Sequence, residues 1–319
     1  MSRTQSARVR AFAKINLDLR VLHRRPDEFH ELRTIFQTIS LADQIDIAFT
    51  PARRTQIAVE GNVQISGNLI ERAAQQCMDA LRIAARVEFH LDKQIPMGAG
   101  LGGGSSDAAA VLLALPVLAR RRIPIEQLMR MAADLGSDVP FFLIGGMASG
   151  VGRGTELYPL PDSSARTGIV VAPRVHVSTA DAYLRLSPRL TMESQQNKMV
   201  SFQSAVWTLG RALTGTGDSA AGVNDFETVV FEQHPQLKAL QQRLWRLGAR
   251  PAMMTGSGSA VFGLFATGAQ TAGAMERIKE ERVFPIRFVS RARYRAVWRQ
   301  RLREHVNQSL WPPQSRYAR

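Results

Sequence analysis

Pro96-Met-Gly-Ala-Gly-Leu-Gly-Gly-Gly-Ser-Ser-Asp-Ala-Ala-Ala110 is the stretch that decides the fold class of this chain. Five of the seven residues from Gly98 to Gly104 are glycines, two serines follow, and a run of alanines then favours a helix. Glycine accepts a positive φ and lets the backbone approach a ligand closely. The free N–H groups at the start of the following helix favour an anion. The stretch therefore predicts a loop that binds the phosphates of a nucleotide.

This glycine loop differs from two better-known phosphate loops. It lacks the G-x-x-x-x-G-K-[ST] pattern of the P-loop. Gly98-x-Gly100-x-x-Gly103 does match the dinucleotide fingerprint, after the strand-like Val87–Leu91. A dinucleotide loop is expected early in a repeated βαβ series, whereas this one lies about a third of the way along the chain. A turn without a ligand is the plain alternative, and so many glycines disfavour it because each one costs chain entropy.

Composition bounds the class of protein. With 319 residues, 45% of them hydrophobic, the chain can bury a sizeable core, which we expect to be divided between two domains. The first ten residues lack the apolar stretch of a signal peptide, and the longest apolar run, Ala108–Ala119, is too short to cross a bilayer. The expected location is therefore the cytoplasm, without a membrane partner. A single cysteine, Cys77, excludes an internal disulfide.

The formal charge of +14 is concentrated near the C-terminal end. Residues 290–319 contain eight arginines and one glutamate, which is half of the excess. Within 294–319, apolar residues recur at helical spacing and predict a terminal helix docked on its own domain, with an acidic partner or a membrane surface as the alternative. No nucleic-acid-binding motif is present, so no nucleic acid is expected as a partner. The apolar stripe consists of Tyr294, Val297, Trp298, Leu302 and Val306.

Strand-like and helical segments alternate along the rest of the chain and predict an α/β (α+β) protein. Alternating residues at 9–22 predict one long strand or two joined strands. Helical periodicity follows, and Pro116 is expected to disturb the end of a helix over 107–120. The turn-forming stretch Pro161–Gly168 is the best candidate for a linker. We therefore expect domains at 1–162 and 168–293, followed by the basic tail at 294–319.

Two short stretches of the sequence contain candidates for chemistry. Lys14, Asn16 and Asp18 share one face of a strand whose other face is apolar, since side chains repeat every two residues. Asp138 follows a helix stop at Gly136 and precedes an aromatic pair, where a carboxylate can accept a proton from a hydroxyl. A solvated strand face and a turn-forming aspartate are the structural alternatives.

Two further stretches are candidates for binding. Thr255-Gly-Ser-Gly-Ser-Ala260 offers a second set of backbone amides between strand-like flanks. Phe29 and His30 bring an aromatic ring and an imidazole together. The six histidines are spread singly, so no metal-ligand spacing is present and His30 is expected to form hydrogen bonds.

Together these motifs resemble the superfamily of galactokinase, homoserine kinase, mevalonate kinase and phosphomevalonate kinase, the GHMP kinases. The resemblance covers roughly residues 9 to 290. It implies a two-domain fold with an N-terminal ATP-binding domain similar to ribosomal protein S5 and a ferredoxin-like C-terminal substrate domain. The motifs, in chain order, are Ala13-Lys-Ile-Asn-Leu17, Glu28-Phe-His-Glu-Leu32, Gly67-Asn-Leu-Ile70, Pro96 to Ser106, Gly136-Ser-Asp-Val-Pro140, Asn224-Asp-Phe-Glu227 and Thr255 to Ala260.

The Lys14 and Asn16 pair and the Phe29-His30 pair resemble one branch of the superfamily. That resemblance implies transfer of the ATP γ-phosphoryl group to the 2-hydroxyl of a cytidine-diphosphate-linked methylerythritol, on the non-mevalonate route to isoprenoids. It implies that Asp138 is the base and that Lys14 is its electrostatic partner. By the same resemblance Asn16 and Thr179 bind methylerythritol hydroxyls, Phe29 stacks on the cytosine, and His30 forms a hydrogen bond to it.

The resemblance also implies how ATP is held. The loop would wrap its phosphates, with Asn68 and Lys93 nearer the nucleoside. Mg²⁺ is expected with ATP, although the sequence contains no protein cage for it; Ser105, Ser106 and Asp107 are candidate ligands. The loop residues concerned are Pro96, Met97, Gly98, Ala99, Gly100, Leu101, Gly102, Gly103, Gly104, Ser105 and Ser106.

Three positions depart from the family pattern. Glu28 stands where glycine is common, Phe29 where tyrosine is frequent, and Gly67 where an acidic residue is often found. None of them removes a group needed for phosphoryl transfer. A GHMP kinase acting on homoserine or mevalonate is the near alternative, and a non-catalytic nucleotide- or nucleic-acid-binding protein is the alternative from another class.

Overall fold

Two β-sheets organise the protein in the computed structural model, which describes residues 4–162, 165–212, 222–306 and 310–318. The first sheet has six strands in the order β3-β4-β2-β5-β6, with β1 paired to β2. All its pairings are antiparallel except that of β3 with β4. Its strands are β1 (Gln5–Arg24), β2 (His30–Pro51), β3 (Gln56–Gly61), β4 (Ala85–Asp92), β5 (Met147–Gly152) and β6 (Glu156–Pro159).

The long pair β1 and β2 positions the future site residues. Lys14 lies opposite Thr38 and Asn16 opposite Phe36, and the register shifts between Asn16 and Asp18. A register shift re-aims the side chains that follow it. Asp18 consequently leaves the face of Lys14 and Asn16 and pairs with Arg20 at 2.8 Å, fully buried. The predicted common face therefore extends to Lys14 and Asn16 only.

Four helices cover the first sheet: α1 (Leu69–Leu81), α2 (Gly103–Leu118), α3 (Ile125–Leu135) and α4 (Val139–Ile144). Helix α2 is buried through most of its length, as its alanines and leucines dictate. The expected disturbance at Pro116 is wrong, because α2 runs through it to Leu118. Only one backbone bond is lost so near the end, and Ala119 N still donates to Leu115 O at 2.8 Å.

The second sheet has the order β10-β7-β9-β8 and is wholly antiparallel. It packs against the middle of β1, where Ala13, Ile15 and Leu17 share a core with Val170 and Phe262. The strands of this sheet are β7 (Thr167–Ala172), β8 (Ala252–Met254), β9 (Val261–Phe265) and β10 (Arg282–Arg287). The helices between them along the chain are α5 (Thr179–Leu186), α6 (Met192–Ala212), α7 (Glu227–Gln233), α8 (Pro235–Arg246) and α9 (Gly268–Arg277).

Between the two sheets lies the expected linker, of which residues 163 and 164 fall outside the described residues. Among the described helices, none combines the length and apolar character needed to span a membrane. The basic tail begins with α10 (Arg291–Arg301), and residues 310–318 continue without a helix. All five residues of the apolar stripe are buried in the core of the first sheet and its helices.

Glu227, the first residue of α7, is expected to make the stability of the fold depend on pH. Its carboxylate accepts hydrogen bonds from Met254 N at 2.7 Å and Gln241 Nε2 at 3.0 Å, and burial raises its pKa from 4.5 to about 7. Because this folded-state pKa exceeds the unfolded one, the protonated carboxyl adds stability at low pH that is lost as the pH rises through 7. At about 1.4 kcal/mol per pKa unit, the loss between pH 4.5 and 8 is ~3 kcal/mol.

We expect Glu227→Gln to remove most of that pH dependence, because the amide keeps an acceptor oxygen for Met254 N and carries no charge. Urea unfolding at pH 5, 6.5 and 8 measures it, and the wild type should lose stability more steeply than the variant. Glu232→Gln is the matched control, since Glu232 lies on the same helix and is exposed in a pair with Arg189. Parallel pH profiles of the wild type and Glu227→Gln would contradict the assignment.

Candidate active site

A cavity of about 890 Å³ opens between the two sheets. It is lined from four sides: by the glycine loop before α2, by strands β1 and β2, by the start of α4, and by α5 with the glycine-rich turn after β8. The cavity thereby joins most of the elements that the sequence singled out. Predicted site residues that line it are Lys14, Asn16, Phe29, His30, Gly100, Gly102, Ser105, Asp138 and Thr179.

Backbone geometry explains the glycines of the loop. Gly98, Gly100 and Gly102 have φ of 65°, 76° and 69°, the left-handed region that only glycine adopts freely. A Cβ on Gly100 would lie 2.1 Å from Thr255 O, so the loop rests directly on the turn between β8 and β9. Ala99 and Leu101 point into the core. The side of the loop that faces the cavity is therefore backbone, followed by the N–H groups at the start of α2.

Lys93 supports the loop from below. Its buried ammonium contacts Asp43 Oδ2 at 2.5 Å and Asp107 Oδ2 at 2.6 Å. Asp43 Oδ1 in turn accepts from Gln94 N at 2.6 Å and Ile95 N at 2.8 Å, just before the loop. Burial and the nearby Asp43 raise the pKa of Asp107, and the contact with Lys93 opposes that shift. Lys93 therefore supports the loop in this structure, and its predicted contact with the nucleoside stays a prediction.

Asn68 has a similarly local role in the structure. It is the N-cap of α1, and its Oδ1 accepts from Ile70 N at 3.0 Å, which satisfies one of the free N–H groups at that helix start. Its side chain is buried and does not line the cavity. Its predicted contact with the nucleoside stays a prediction.

At the floor of the cavity, Lys14 and Asp138 form a charge pair. The distance from Lys14 Nζ to Asp138 Oδ2 is 3.4 Å, with side-chain exposures of 4% and 32%. Lys14 Nζ also donates to Asn16 Oδ1 at 2.6 Å, and Lys14 N donates to Leu101 O at 3.0 Å, which ties β1 to the glycine loop. The Asp138 carboxylate is partly exposed to the cavity, and the buried Lys14 ammonium lies beside it. The pair can therefore receive a proton from a group bound in the cavity.

Asn16 connects this pair to the second sheet. Its Oδ1 accepts from Gly256 N at 3.0 Å and Thr255 Oγ1 at 3.3 Å, and its Nδ2 donates to Thr34 Oγ1 at 2.8 Å. One amide hydrogen of Asn16 is left for a ligand. Across the cavity mouth, Thr179 Oγ1 lies 2.7 Å from Ser257 Oγ.

Aromatic side chains form the far end of the cavity. His30 stacks on Tyr183 with ring centroids 4.6 Å apart, and its Nε2 lies 2.7 Å from Ser187 Oγ. Burial and the charge of Arg24 lower the pKa of His30, so it is neutral near pH 7 and can both donate and accept a hydrogen bond. The Phe29 ring carries the Arg153 guanidinium 3.5 Å above its centroid.

Arg153 and Tyr183 were missed by sequence reasoning. Arg153 Nε is buried without a hydrogen-bond partner among the described residues, and its charge faces the cavity. Tyr183 lies one helical turn after Thr179, which is the only sequence signal it carries. The turn before Phe29 keeps the conformation that glycine would favour, since Glu28 adopts a φ of 67°.

The three candidate Mg²⁺ ligands have different surroundings in the structure. Ser106 Oγ donates to Phe12 O and Asp107 binds Lys93, so both side chains are engaged in the core, and their role as Mg²⁺ ligands stays a prediction. Of the three candidates, Ser105 lines the cavity, as Asp138 does. Among the described residues no cluster of three His, Cys, Asp or Glu side chains could hold a metal. Ser105 and Asp138 therefore fit a Mg²⁺ ion that is held mainly by phosphate and water oxygens.

Comparison with known proteins defines the class. Residues 68–146 match the GHMP kinases N terminal domain and residues 208–282 match the GHMP kinases C terminal domain. A crystal structure of 4-(cytidine 5'-diphospho)-2C-methyl-D-erythritol kinase is similar, with 34% identity and a TM-score of 0.74 over 88% of this chain and 98% of that one. A homoserine kinase from Cytophaga hutchinsonii shares the fold at 16% identity and a TM-score of 0.68, over 91% of this chain and 96% of that one. The fold is that of a GHMP kinase, and the predicted fold class is confirmed.

Sequence relatives narrow the class to one family. The 4-diphosphocytidyl-2-C-methyl-D-erythritol kinase of Solibacter usitatus is 58% identical over 99% of both chains. That of Geobacter sulfurreducens is 38% identical over 81% of this chain and 89% of the relative. The chain belongs to the 4-diphosphocytidyl-2-C-methyl-D-erythritol kinase family, which confirms the resemblance drawn from its motifs.

Proposed function

We propose that the chain transfers the γ-phosphoryl group of ATP to the 2-hydroxyl of 4-diphosphocytidyl-2-C-methyl-D-erythritol, on the non-mevalonate route to isopentenyl diphosphate. The observation that carries the chemistry is the Lys14–Asp138 pair, 3.4 Å apart in the cavity that the glycine loop borders. ATP is the donor that the GHMP kinase family uses. Phosphoryl transfer needs positioning and charge stabilisation above all, and backbone amides, one lysine and one carboxylate supply both.

Asp138 accepts the proton of the attacking hydroxyl in this mechanism. Lys14, whose Nζ lies 3.4 Å from Asp138 Oδ2, stabilises the negative charge that develops on the transferred group. Asn16 holds Lys14 in place through its Oδ1, 2.6 Å from Nζ, and offers its free amide hydrogen to a substrate hydroxyl. Bound with ATP, Mg²⁺ would neutralise phosphate charge, and Ser105 is the side chain placed to assist it. Thr179 would orient the methylerythritol from the opposite wall.

The aromatic end of the cavity suits the cytidine diphosphate. Phe29 and Tyr183 offer ring faces for stacking, and the neutral His30 can pair with the polar edge of a base. Arg153, whose buried Nε has no hydrogen-bond partner in the described part of the chain, has its guanidinium at this end and can bind the diphosphate or the base. Homoserine and mevalonate have no base for these rings to hold, which favours the cytidyl substrate over the near alternative.

Domain roles follow from the same assignment. We propose that 1–162 forms the ATP-binding domain and 168–293 the substrate domain, with the boundary between the two sheets. The apolar stripe of the basic tail is buried in the fold, as expected of a terminal segment docked on its own domain. A cytoplasmic location stays a prediction.

ADP release in the presence of ATP and Mg²⁺ tests the proposal with three acceptors in parallel: the cytidyl-methylerythritol substrate, homoserine and mevalonate. We expect turnover of the first alone. In Phe29→Leu the KM for the cytidyl substrate should rise about tenfold, because stacking on a base is worth roughly 1–3 kcal/mol, while the KM for ATP stays within twofold. Turnover of homoserine or mevalonate would replace the substrate assignment, and no turnover of any acceptor would favour the binding-protein alternative.

A further inference from the structure

The C-terminal segment (290–306 and 310–318) crosses the helix that follows Asp138. The Tyr294 hydroxyl donates to Phe142 O at 2.5 Å, and Trp311 Nε1 donates to Leu143 O at 2.9 Å. Both acceptors belong to α4, which has only six residues and begins directly after Asp138. Two side chains from the far end of the chain therefore contact the helix that presents the proposed base.

These bonds meet a need of α4 itself. The last four carbonyls of a helix have no partner within it. Phe141 O accepts from Gly145 N at 2.9 Å, while Phe142 O and Leu143 O are the acceptors for Tyr294 and Trp311. In so short a helix most of the backbone groups are end groups. The C-terminal segment consequently supplies the cap that local sequence does not.

Close packing makes this contact specific. Gly145, which ends α4, has a φ of 67°, and a Cβ there would lie 2.4 Å from the Tyr294 ring. On its other side α4 contacts the glycine loop, since a Cβ on Gly102 would lie 2.9 Å from Phe142 Cζ. A displacement of α4 would therefore move both Asp138 and the loop that faces the phosphates.

We propose that Tyr294 and Trp311 are positioning residues for phosphoryl transfer, which hold α4 so that Asp138 stays at its distance from Lys14 and the glycine loop keeps its shape. The inference rests on the proposed function of Asp138. The matched GHMP kinase domains end at residue 282, so both residues lie beyond the part that defines the superfamily.

Trp311→Phe and Tyr294→Phe test the inference, because each removes one hydrogen-bond donor and keeps a ring. We expect kcat to fall about tenfold in each, since misplacement of a reacting group by 1 Å costs up to roughly 10²-fold, with the KM for ATP and for the cytidyl substrate within twofold. Amide exchange at Gly145 should become faster. Tyr317→Phe is the control, since Tyr317 is an exposed aromatic residue of the same segment that packs against Arg120 and Arg316.

Asp138→Asn is assayed beside these variants, well below the unfolding temperature of each. An inactive Asp138→Asn together with wild-type kcat in both Trp311→Phe and Tyr294→Phe overturns the positioning role and leaves the proposed function standing. An active Asp138→Asn overturns the base assignment instead. If Trp311→Phe does not fold, Tyr294→Phe, which removes a single oxygen atom, decides the question.

Discussion

Asp138→Asn is expected to lower kcat by about 10³-fold, within the range of 10²–10⁴ typical of general base catalysis, while the binding of ATP changes little. The amide is nearly isosteric and cannot take the hydroxyl proton. It also loses the charge that Lys14 Nζ meets at 3.4 Å. Initial rates of ADP release with the cytidyl substrate, combined with an ATP titration in the absence of acceptor, separate the chemical step from binding.

Asp134→Asn is the matched control for this loss. Asp134 lies four residues earlier, exposed on α3, and should leave kcat and both KM values unchanged. Lys14→Met should lower kcat by a similar factor, because it removes the cation that lies 3.4 Å from Asp138 and stabilises the transferred group. Since both residues act as one unit, the double variant should be little worse than either single variant. Fully additive losses would show that Lys14 and Asp138 act independently.

The sequence predicted those parts of the site that depend on a single residue type or on the period of one strand. Positive φ at Gly98, Gly100 and Gly102 is a property of single residues, so the glycine run predicted both the loop and the helix after it. The two-residue period of a strand placed Lys14 and Asn16 on one face. The same rule failed at Asp18, because a register shift depends on the partner strand and leaves no mark in the sequence of β1.

Long-range contacts account for the residues that sequence reasoning misplaced or missed. The Lys93 ammonium lies between Asp43 and Asp107, which are 50 and 14 residues away, and charged residues are usually predicted to be exposed. The ring of Phe29 meets Arg153 from a distant turn. The apolar stripe of the tail predicted docking, but donors such as Tyr294 Oη bind backbone carbonyls, which have no sequence signature.

Gly100→Ala should abolish ATP turnover and destabilise the protein by roughly 3 kcal/mol. A left-handed φ of 76° costs an L-residue about 1–2 kcal/mol, and overpacking adds about 1–3 kcal/mol because the new Cβ would lie 2.1 Å from Thr255 O. Moving the glycine loop away from the turn between β8 and β9 would also displace Gly256, whose N–H donates to Asn16 Oδ1. Urea unfolding and the dependence of ADP release on ATP concentration measure both effects.

Two other glycine-to-alanine variants serve as controls. They show how much of the loss comes from adding a methyl group in general and how much from the contact between the loop and the turn. Gly273→Ala lies in α9 with open space around it, and alanine favours a helix by up to ~1 kcal/mol, so stability should hold or rise with activity unchanged. Gly104→Ala, in the first turn of α2, meets only Leu69 at 3.8 Å and should keep its stability too. If Gly104→Ala loses ATP turnover while remaining folded, the methyl group crowds the phosphates themselves. Loss of folding in Gly100→Ala alone assigns that glycine to the contact with Thr255, which holds the phosphate loop against the second sheet.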